Sequence, residues 1–172
     1  MKLIISLFSF VSLFSQGQES DKYLLSKHSV GGLEIGQSVD YLYSLYGKGN
    51  TRLIDLYLEA FYSPAIEVRY NGELAFLAEL NCNEIYRISV KNPSFKTKEG
   101  IHVGSDYGEL KSKYTINSIQ RGEGNLYVVI EDLAMSFQLD TVQLLDKGVD
   151  IDRNVSLDDL PDDIGITSIL IR

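Results

Sequence analysis

The spacing of apolar residues follows two different periods along this 172-residue chain. Within residues 39–46, and again within 107–114, apolar side chains recur at i, i+3 and i+7, which places them on one face of an amphipathic helix. After each of these segments the apolar residues occupy every second position, which is typical of strands with one buried face. The chain therefore predicts two short helices, each followed by a group of strands.

The two helical segments belong to a motif that the chain repeats. The first copy reads GGLEIGQSVDYLYSLYG and begins at Gly31, and the second reads EGIHVGSDYGELKSKY and begins at Glu99. The copies match at a constant offset of 68 residues, and the matched pairs are Gly32/Gly100, Leu33/Ile101, Ile35/Val103, Gly36/Gly104, Val39/Tyr107, Leu42/Leu110 and Tyr46/Tyr114. The matched apolar residues define the face by which each helix is expected to pack, with Leu42 and Leu110 as buried anchors.

Capping residues flank the predicted helices. Ser38 is a natural N-cap of the first helix, and either Ser105 or Asp106 can cap the second. Gly47 directly follows the first helix and is a predicted C-terminal cap. The glycines ahead of each helix predict a tight turn that a side chain would block.

Three strands are predicted after each helix. In the first half, two alternating segments flank Asn71-Gly72, which is the strongest short signal for a hairpin. The predicted strands are AIEVRY (65–70), ELAFLAEL (73–80) and EIYRISV (84–90), then NLYVVI (125–130), AMSFQLD (134–140) and GITSILI (165–171). A unit of about 65 residues buries little core alone. The predicted fold is therefore α+β, in which two tandem helix-plus-three-strand antiparallel repeats share a sheet with the helices packed on one face.

The first residues predict export. Lys2 precedes an apolar run from Leu3 to Phe14, and Ser15-Gln16-Gly17 fits the small-x-small pattern before a signal-peptidase cut. The predicted organisation is a signal peptide at 1–17, an N-terminal segment at 18–29, repeat unit 1 at 30–92 and repeat unit 2 at 93–172. The expected location is periplasmic or secreted, with no membrane span and no lipid anchor, because no cysteine lies near the cut. The single cysteine, Cys82, cannot form an internal disulfide.

The doubled motif, in which GLEIG or GIHVG leads into a short helix and then antiparallel strands, resembles β-lactamase inhibitory protein. It is also similar to the small outer-membrane-assembly lipoproteins of the SmpA/OmlA type, which carry one such unit. The similarity extends from about Val30 to Arg172 and rests on glycine and apolar spacing. This chain lacks the disulfide that the inhibitory protein has in each repeat, and it lacks the lipidated cysteine of the assembly lipoproteins. The resemblance implies a fold more strongly than a function.

Charge excludes some partners. Lysine and arginine total 16 against 24 aspartate and glutamate residues, which gives a net charge of −8. Nucleic acid and anionic membrane surfaces both attract clustered lysine and arginine, so neither is an expected partner. An acidic chain meets a basic surface faster than an acidic one. The expected partner is another protein with a basic or mixed surface.

Little in the sequence indicates catalysis, a cofactor or a metal. The two histidines, His28 and His102, lie in no cluster with metal-ligand spacing, and no phosphate-binding or nucleophile motif occurs. The acidic stretch 146–165 begins like a calcium loop at Asp150, but Val155 and Pro161 occupy positions that an EF-hand gives to glycine and glutamate. Two alternatives remain for it, a solvated loop and a loose calcium site that uses Asp158, Asp159, Asp162 or Asp163.

The sheet face turned away from the helices is the expected site. Its residues mix tyrosine, arginine and aliphatic side chains, a composition typical of protein-binding surfaces. The candidate partner-binding residues are Arg69, Leu77, Arg87, Tyr127, Val129 and Gln138. We therefore expect an exported non-enzymatic protein-binding module, of the inhibitor, immunity or envelope-assembly type, with no catalytic residue and no cofactor. The alternatives are an enzyme with an unrecognised site and a structural envelope protein with a calcium-binding acidic loop.

Overall fold

A computed structural model of the protein describes residues 22–58, 61–122, 124–151, 153 and 155–172. The predicted signal peptide at 1–17 lies outside the described residues. Three α-helices are described: α1 (Val39–Tyr46), α2 (Tyr107–Lys113) and α3 (Thr141–Asp146). The described strands are β1 (Leu24–Ser26), β2 (Ser29–Val30), β3 (Leu33–Glu34), β4 (Thr51–Leu58), β5 (Phe61–Tyr70), β6 (Glu73–Asn81), β7 (Glu84–Val90), β8 (Lys96–Thr97), β9 (Ser118–Gly122), β10 (Asn125–Ile130), β11 (Met135–Leu139) and β12 (Ile166–Ile171).

An eight-stranded antiparallel sheet dominates the described part of the chain, in the order β4-β5-β6-β7-β12-β11-β10-β9. It consists of two four-stranded meanders that join where β7 pairs with β12. At that junction Ile88 lies opposite Ile171, and Val90 lies opposite Ile169. The two halves of the chain thus share one continuous sheet, and neither half can complete it alone.

A smaller sheet of four short strands has the order β3-β2-β1-β8. Its strands β1, β2 and β3 are antiparallel neighbours, whereas β1 runs parallel to β8, so this sheet is mixed. Leu25, Val30 and Leu33 are buried on it and belong to the main core cluster. The small sheet therefore covers part of the large one together with the helices.

The predicted fold class is wrong. The chain is mostly β, and the large sheet takes four strands from each half, so the structure does not consist of two helix-plus-three-strand repeats. The hydrophobic pattern does not predict β4 and β9, which are the two ends of the sheet, nor α3 and the small sheet. The reason is that neither end strand alternates cleanly: TRLIDLYL in β4 has apolar residues on both faces, and SIQRG in β9 is largely polar. Strands at the ends of a sheet bury less of either face, which weakens the period-two signal.

Several local predictions are confirmed. Strands β5 and β6 form the hairpin around Asn71-Gly72, whose φ angles of 51° and 82° suit a tight two-residue turn. Ser38 caps α1, where its side chain accepts a hydrogen bond from the backbone N–H of Tyr41. Asp106, rather than Ser105, caps α2.

The matched glycines of the repeated motif share an unusual backbone conformation. Gly36 has a φ of 88° and Gly104 a φ of 100°, a region that side chains strongly disfavour. Each lies in the turn before its helix, at the same position of the motif. The glycines recur at matching positions because the turn before each helix requires a positive φ angle, as the predicted tight turns implied.

The core lies between the large sheet and its covering of helices and small sheet. One row of side chains crosses the sheet from strand to strand and is fully buried: Val68, Phe76, Val90, Ile169, Phe137 and Val128. Leu42, Leu110 and Leu144 are fully buried from the helices. Burying each such side chain contributes about 1.5–3 kcal/mol. No helix among the described residues has the length and apolar character needed to cross a membrane.

Candidate binding groove on the open sheet face

The face of the large sheet opposite the core is concave. Leu56 on β4 and Gln120 on β9 both line one cavity of about 380 Å³, although these strands are the two ends of the sheet. In a flat sheet, seven strand spacings of about 4.8 Å would separate them by roughly 34 Å. The sheet must therefore curl until its ends approach each other. We call this cavity the concave groove.

Small side chains form the floor of the concave groove. Ser89 and Ser136 lie on either side of Leu170 in one row of the register, and all three line the cavity. The fully buried Ser168 donates a hydrogen bond to the carbonyl of Val90, and its Oγ lies 3.2 Å from that of Ser89. Serine side chains are short, so Ser89 and Ser136 occupy little of the space above the sheet on either side of Leu170.

An ion pair with a buried carboxylate lies on the wall of the groove. Glu79 on β6 is directly opposite Arg87 on β7, and only 3% of Glu79 is exposed. Its two oxygens accept hydrogen bonds from Nε of Arg87 at 2.7 Å and from Nη2 at 2.5 Å. The hydroxyl of Tyr86 donates a further bond at 2.9 Å. A bidentate carboxylate fixes the guanidinium plane, so Arg87 has a defined orientation in the groove.

Lys91 extends the same line of side chains beyond Arg87 and Ser89. It is half-buried and lines the groove. Burial lowers the pKa of its ammonium group, and the nearby Glu79 carboxylate opposes this shift. Arg121 and Arg172 also line the groove, whereas Glu79 is the one carboxylate among its described lining residues. The groove is therefore cationic, although the chain as a whole is acidic.

A second cavity lies next to the first, where β4 meets β5. Here Arg52 and Arg69 both contact Glu67, at 2.9 Å and 2.7 Å. Glu67 is 7% exposed, and the hydrogen bond from Arg69, together with Arg52, lowers the pKa of its carboxyl group. The two cavities together are lined by five of the six arginines of the chain, and the sixth is Arg153. Arginine is thus concentrated on the open face.

The structure brings most of the predicted site residues together. Leu77, Arg87, Tyr127 and Gln138 line the concave groove, while Arg69 lines the second cavity. Val129 is half-buried on β10, opposite Ser136, and is not among the residues that line the groove.

The candidate residues chosen from the sequence do not include Glu79, Lys91 or Arg121, which line the groove. Alternation along β6 assigns Glu79 to the open face without giving it a role, and the alternation of Arg87 and Ser89 continues to Lys91. Arg121 had no such signal, because its strand β9 was not predicted. The pairing of Glu79 with Arg87 depends on the register between two strands, which alternation along one strand does not specify.

The acidic stretch 146–165 is only partly described, because residues 152 and 154 fall outside the described set. Within it, Asp159 accepts hydrogen bonds from the backbone and hydroxyl of Ser156, and Asp163 contacts Lys147 at 2.7 Å. Asp162 forms an ion pair with Lys111. In the part of the chain that the structure describes, no three histidine, cysteine, aspartate or glutamate side chains are grouped to hold a metal ion.

Comparisons with known proteins identify a shared fold. The chain is similar to the crystal structure of the uncharacterized protein yfeY from Escherichia coli, with a TM-score of 0.60 and 17% sequence identity, over 88% of this chain and 99% of that one. No family model matches the chain, and no curated protein matches it significantly. At this identity the likeness shows the fold alone. It does not show the link to β-lactamase inhibitory protein or to the assembly lipoproteins that the repeated motif resembles.

Proposed function

We propose that the protein is a non-enzymatic binding module that holds a partner protein against the concave face of its large sheet. One observation carries the proposal: the face that the core does not use is curled into a polar groove. The groove presents arginine, tyrosine and leucine side chains, and arginine and tyrosine are among the residue types that dominate binding energy at protein interfaces.

Three expectations from the sequence define the role of such a module. The leader predicted from the sequence favours an exported protein, and the motif that resembles β-lactamase inhibitory protein favours an inhibitor, immunity or envelope-assembly role. The net charge of −8 favours a partner with a basic or mixed surface. These three expectations together define the proposed function.

The test uses capture from the envelope and secreted fractions of the source organism. Purified protein is immobilised, and the captured proteins are compared between wild type, Tyr127→Ala and the matched control Tyr62→Ala. Tyr127 lines the groove, whereas Tyr62 is 75% exposed on β5 and does not line it. We expect Tyr127→Ala to weaken binding of the captured protein by about 2 kcal/mol, or roughly thirty-fold, and Tyr62→Ala to leave it unchanged.

Thermal unfolding of both variants controls for loss of structure. Loss of capture with Tyr62→Ala and full capture with Tyr127→Ala would place the interface at the β4–β5 end of the sheet. That result would contradict the proposal.

A further inference from the structure

The distribution of charge on the open face differs from that of the whole chain. Six cationic side chains line its two cavities: Arg52, Arg69, Arg87, Lys91, Arg121 and Arg172. The described residues that line the two cavities include two acidic side chains, Glu67 and Glu79, and both form ion pairs with arginine. Because the net charge of the chain is −8, the excess of negative charge lies elsewhere on the molecule.

We propose that the partner inserts an extended, carboxylate-rich peptide segment into the concave groove. This inference rests on the proposed function and adds the chemistry by which the partner is recognised. Clusters of arginine and lysine are a recurrent means of binding acidic peptide motifs, and arginine in particular holds carboxylates in a planar, two-bonded geometry.

The dimensions of the groove favour a peptide over a single small anion. Its volume of about 380 Å³ falls in the range of sites that enclose an organic ligand. Its cations come from different parts of the chain, because Lys91 follows β7, Arg121 lies on β9 and Arg172 follows β12. Gln120 also lines the groove and carries an amide group that can form hydrogen bonds to a peptide backbone, next to Gln138 and Asn125, which are hydrogen-bonded to each other.

The half-buried ammonium group of Lys91 favours a carboxylate ligand in the groove. Burial disfavours the charged form of Lys91, and the nearby Glu79 is already held by Arg87 and Tyr86. A carboxylate placed beside Lys91 favours its charged form and forms a charge-assisted hydrogen bond. The segment that enters the groove is therefore stabilised where its acidic side chains meet Lys91.

The acidic chain as a whole constrains the rest of the partner. Charges interact over about 10 Å at 0.1 M salt, so the negative surface outside the groove acts on the flanks of the inserted segment. A partner that is acidic throughout would be repelled there. The partner thus carries an acidic segment on an otherwise basic surface. Of the two surfaces expected from the sequence, basic or mixed, this is the mixed one.

The experiment uses a defined probe and a charge-matched control. The probe is a short fluorescent peptide of alternating glutamate and alanine, and its counterpart replaces each glutamate by glutamine. Binding is measured by fluorescence anisotropy for wild type, for Lys91→Gln with Arg121→Gln, and for Lys113→Gln with Arg153→Gln. Both double variants remove one lysine and one arginine, but Lys113 and Arg153 are exposed residues that do not line the groove.

We expect the acidic peptide to bind wild type at least about tenfold more tightly than its glutamine counterpart. The groove variant should lose at least about tenfold in affinity, and the control variant should stay within about twofold of wild type. A second readout needs no variant: bound acidic peptide should slow the acetylation of Lys91, measured by mass spectrometry, and leave Lys113 unaffected. This readout remains decisive if the groove variant fails to fold.

Three results would overturn the inference. Equal binding of the two peptides would exclude carboxylate recognition, and equal losses in the two double variants would show attraction by net charge alone. Displacement of the peptide by inorganic phosphate at the same concentration as free acidic peptide would show a small-anion site. None of these results affects the capture test with Tyr127→Ala, so failure of this inference is distinguishable from failure of the proposed function.

Discussion

The two faces of the large sheet are built from the same strands and have opposite character. On β7, Ile88 and Val90 are fully buried against the helices and small sheet, whereas Arg87 and Ser89, which alternate with them, line the concave groove. The core face uses aliphatic and aromatic side chains on the six inner strands of the sheet, from β5 across to β10. The open face uses serine at its floor and paired charges on its walls.

This difference separates what holds the fold from what shapes the groove. Apolar burial is non-directional, so the core face needs only residues of suitable volume. The open face depends on specific partners, because Glu79 is useful to the fold only while Arg87 and Tyr86 satisfy it. We therefore expect substitutions on the core face to reduce stability strongly, and substitutions on the open face to change binding more than stability.

The largest difference in the free energy of unfolding should occur between substitutions at two adjacent residues of β11. Phe137 is fully buried in the core row, and Gln138 lines the groove. Phe137→Ala should lower the free energy of unfolding by about 3–5 kcal/mol through the cavity it leaves. Gln138→Ala should lower it by about 1 kcal/mol or less, although its side chain donates a hydrogen bond to Asn125. Urea unfolding measures both, and similar losses would contradict the division between the two faces.

Substitutions of the buried leucines of α1 and α2 should have the next largest effect on the free energy of unfolding. Leu42→Ala and Leu110→Ala should each cost about 2–5 kcal/mol, because both side chains are fully buried under the sheet. Leu45→Ala on the same helix as Leu42 is the matched control, since Leu45 is 43% exposed. We expect its effect to lie within about 0.5 kcal/mol of zero once helix propensity is considered. A small loss at Leu42 or Leu110 would argue against their common role in the repeated motif.

The pair on the groove wall should have a smaller effect on stability. Glu79→Gln removes the charged acceptor of Arg87, whose side chain is 24% exposed and so partly reached by water. We expect a loss of roughly 1–3 kcal/mol. A double-mutant cycle with Arg87→Gln isolates the interaction, and the two substitutions should be clearly non-additive. Simple additivity would mean that the two groups do not stabilise each other.

The smallest expected effect is the pH dependence contributed by Glu67. Arg69 and Arg52 hold the pKa of its carboxyl group below the ordinary value of 4.5. The folded state therefore favours ionised Glu67, so its contribution is full above the unfolded pKa and is lost as the pH falls through the lower folded pKa. The stability advantage of wild type over Glu67→Gln should shrink as the pH falls below about 4.5, as measured by urea midpoints.

The control for this pH series is Glu99→Gln, which removes an exposed carboxylate from the loop before α2. Its effect on stability should stay within about 0.5 kcal/mol. A difference between wild type and Glu67→Gln that stays constant from neutral pH into acid would exclude the proposed linkage.

The pattern of the sequence was sufficient for the elements with strong local signals. The helices around Leu42 and Leu110, the hairpin at Asn71-Gly72 and the central strand β7 all follow from spacing and turn chemistry, which depend on residues close together in the chain. Four of the six proposed site residues line the groove because strand alternation correctly assigned them to the open face. Strands β4 and β9 gave no comparable signal, because β4 has apolar residues on both faces and β9 has few apolar residues.

The sequence by itself determined the two helix motifs with their caps and glycine turns, the central strands, and which residues of those strands face the core. Only the tertiary structure decided that each half supplies four strands, that the sheet curls until Leu56 and Gln120 line one cavity, and that Glu79 meets Arg87. The physical reason is that periodicity reports which side of an element is buried, whereas register, curvature and the gathering of arginines from distant strands arise from non-local pairing.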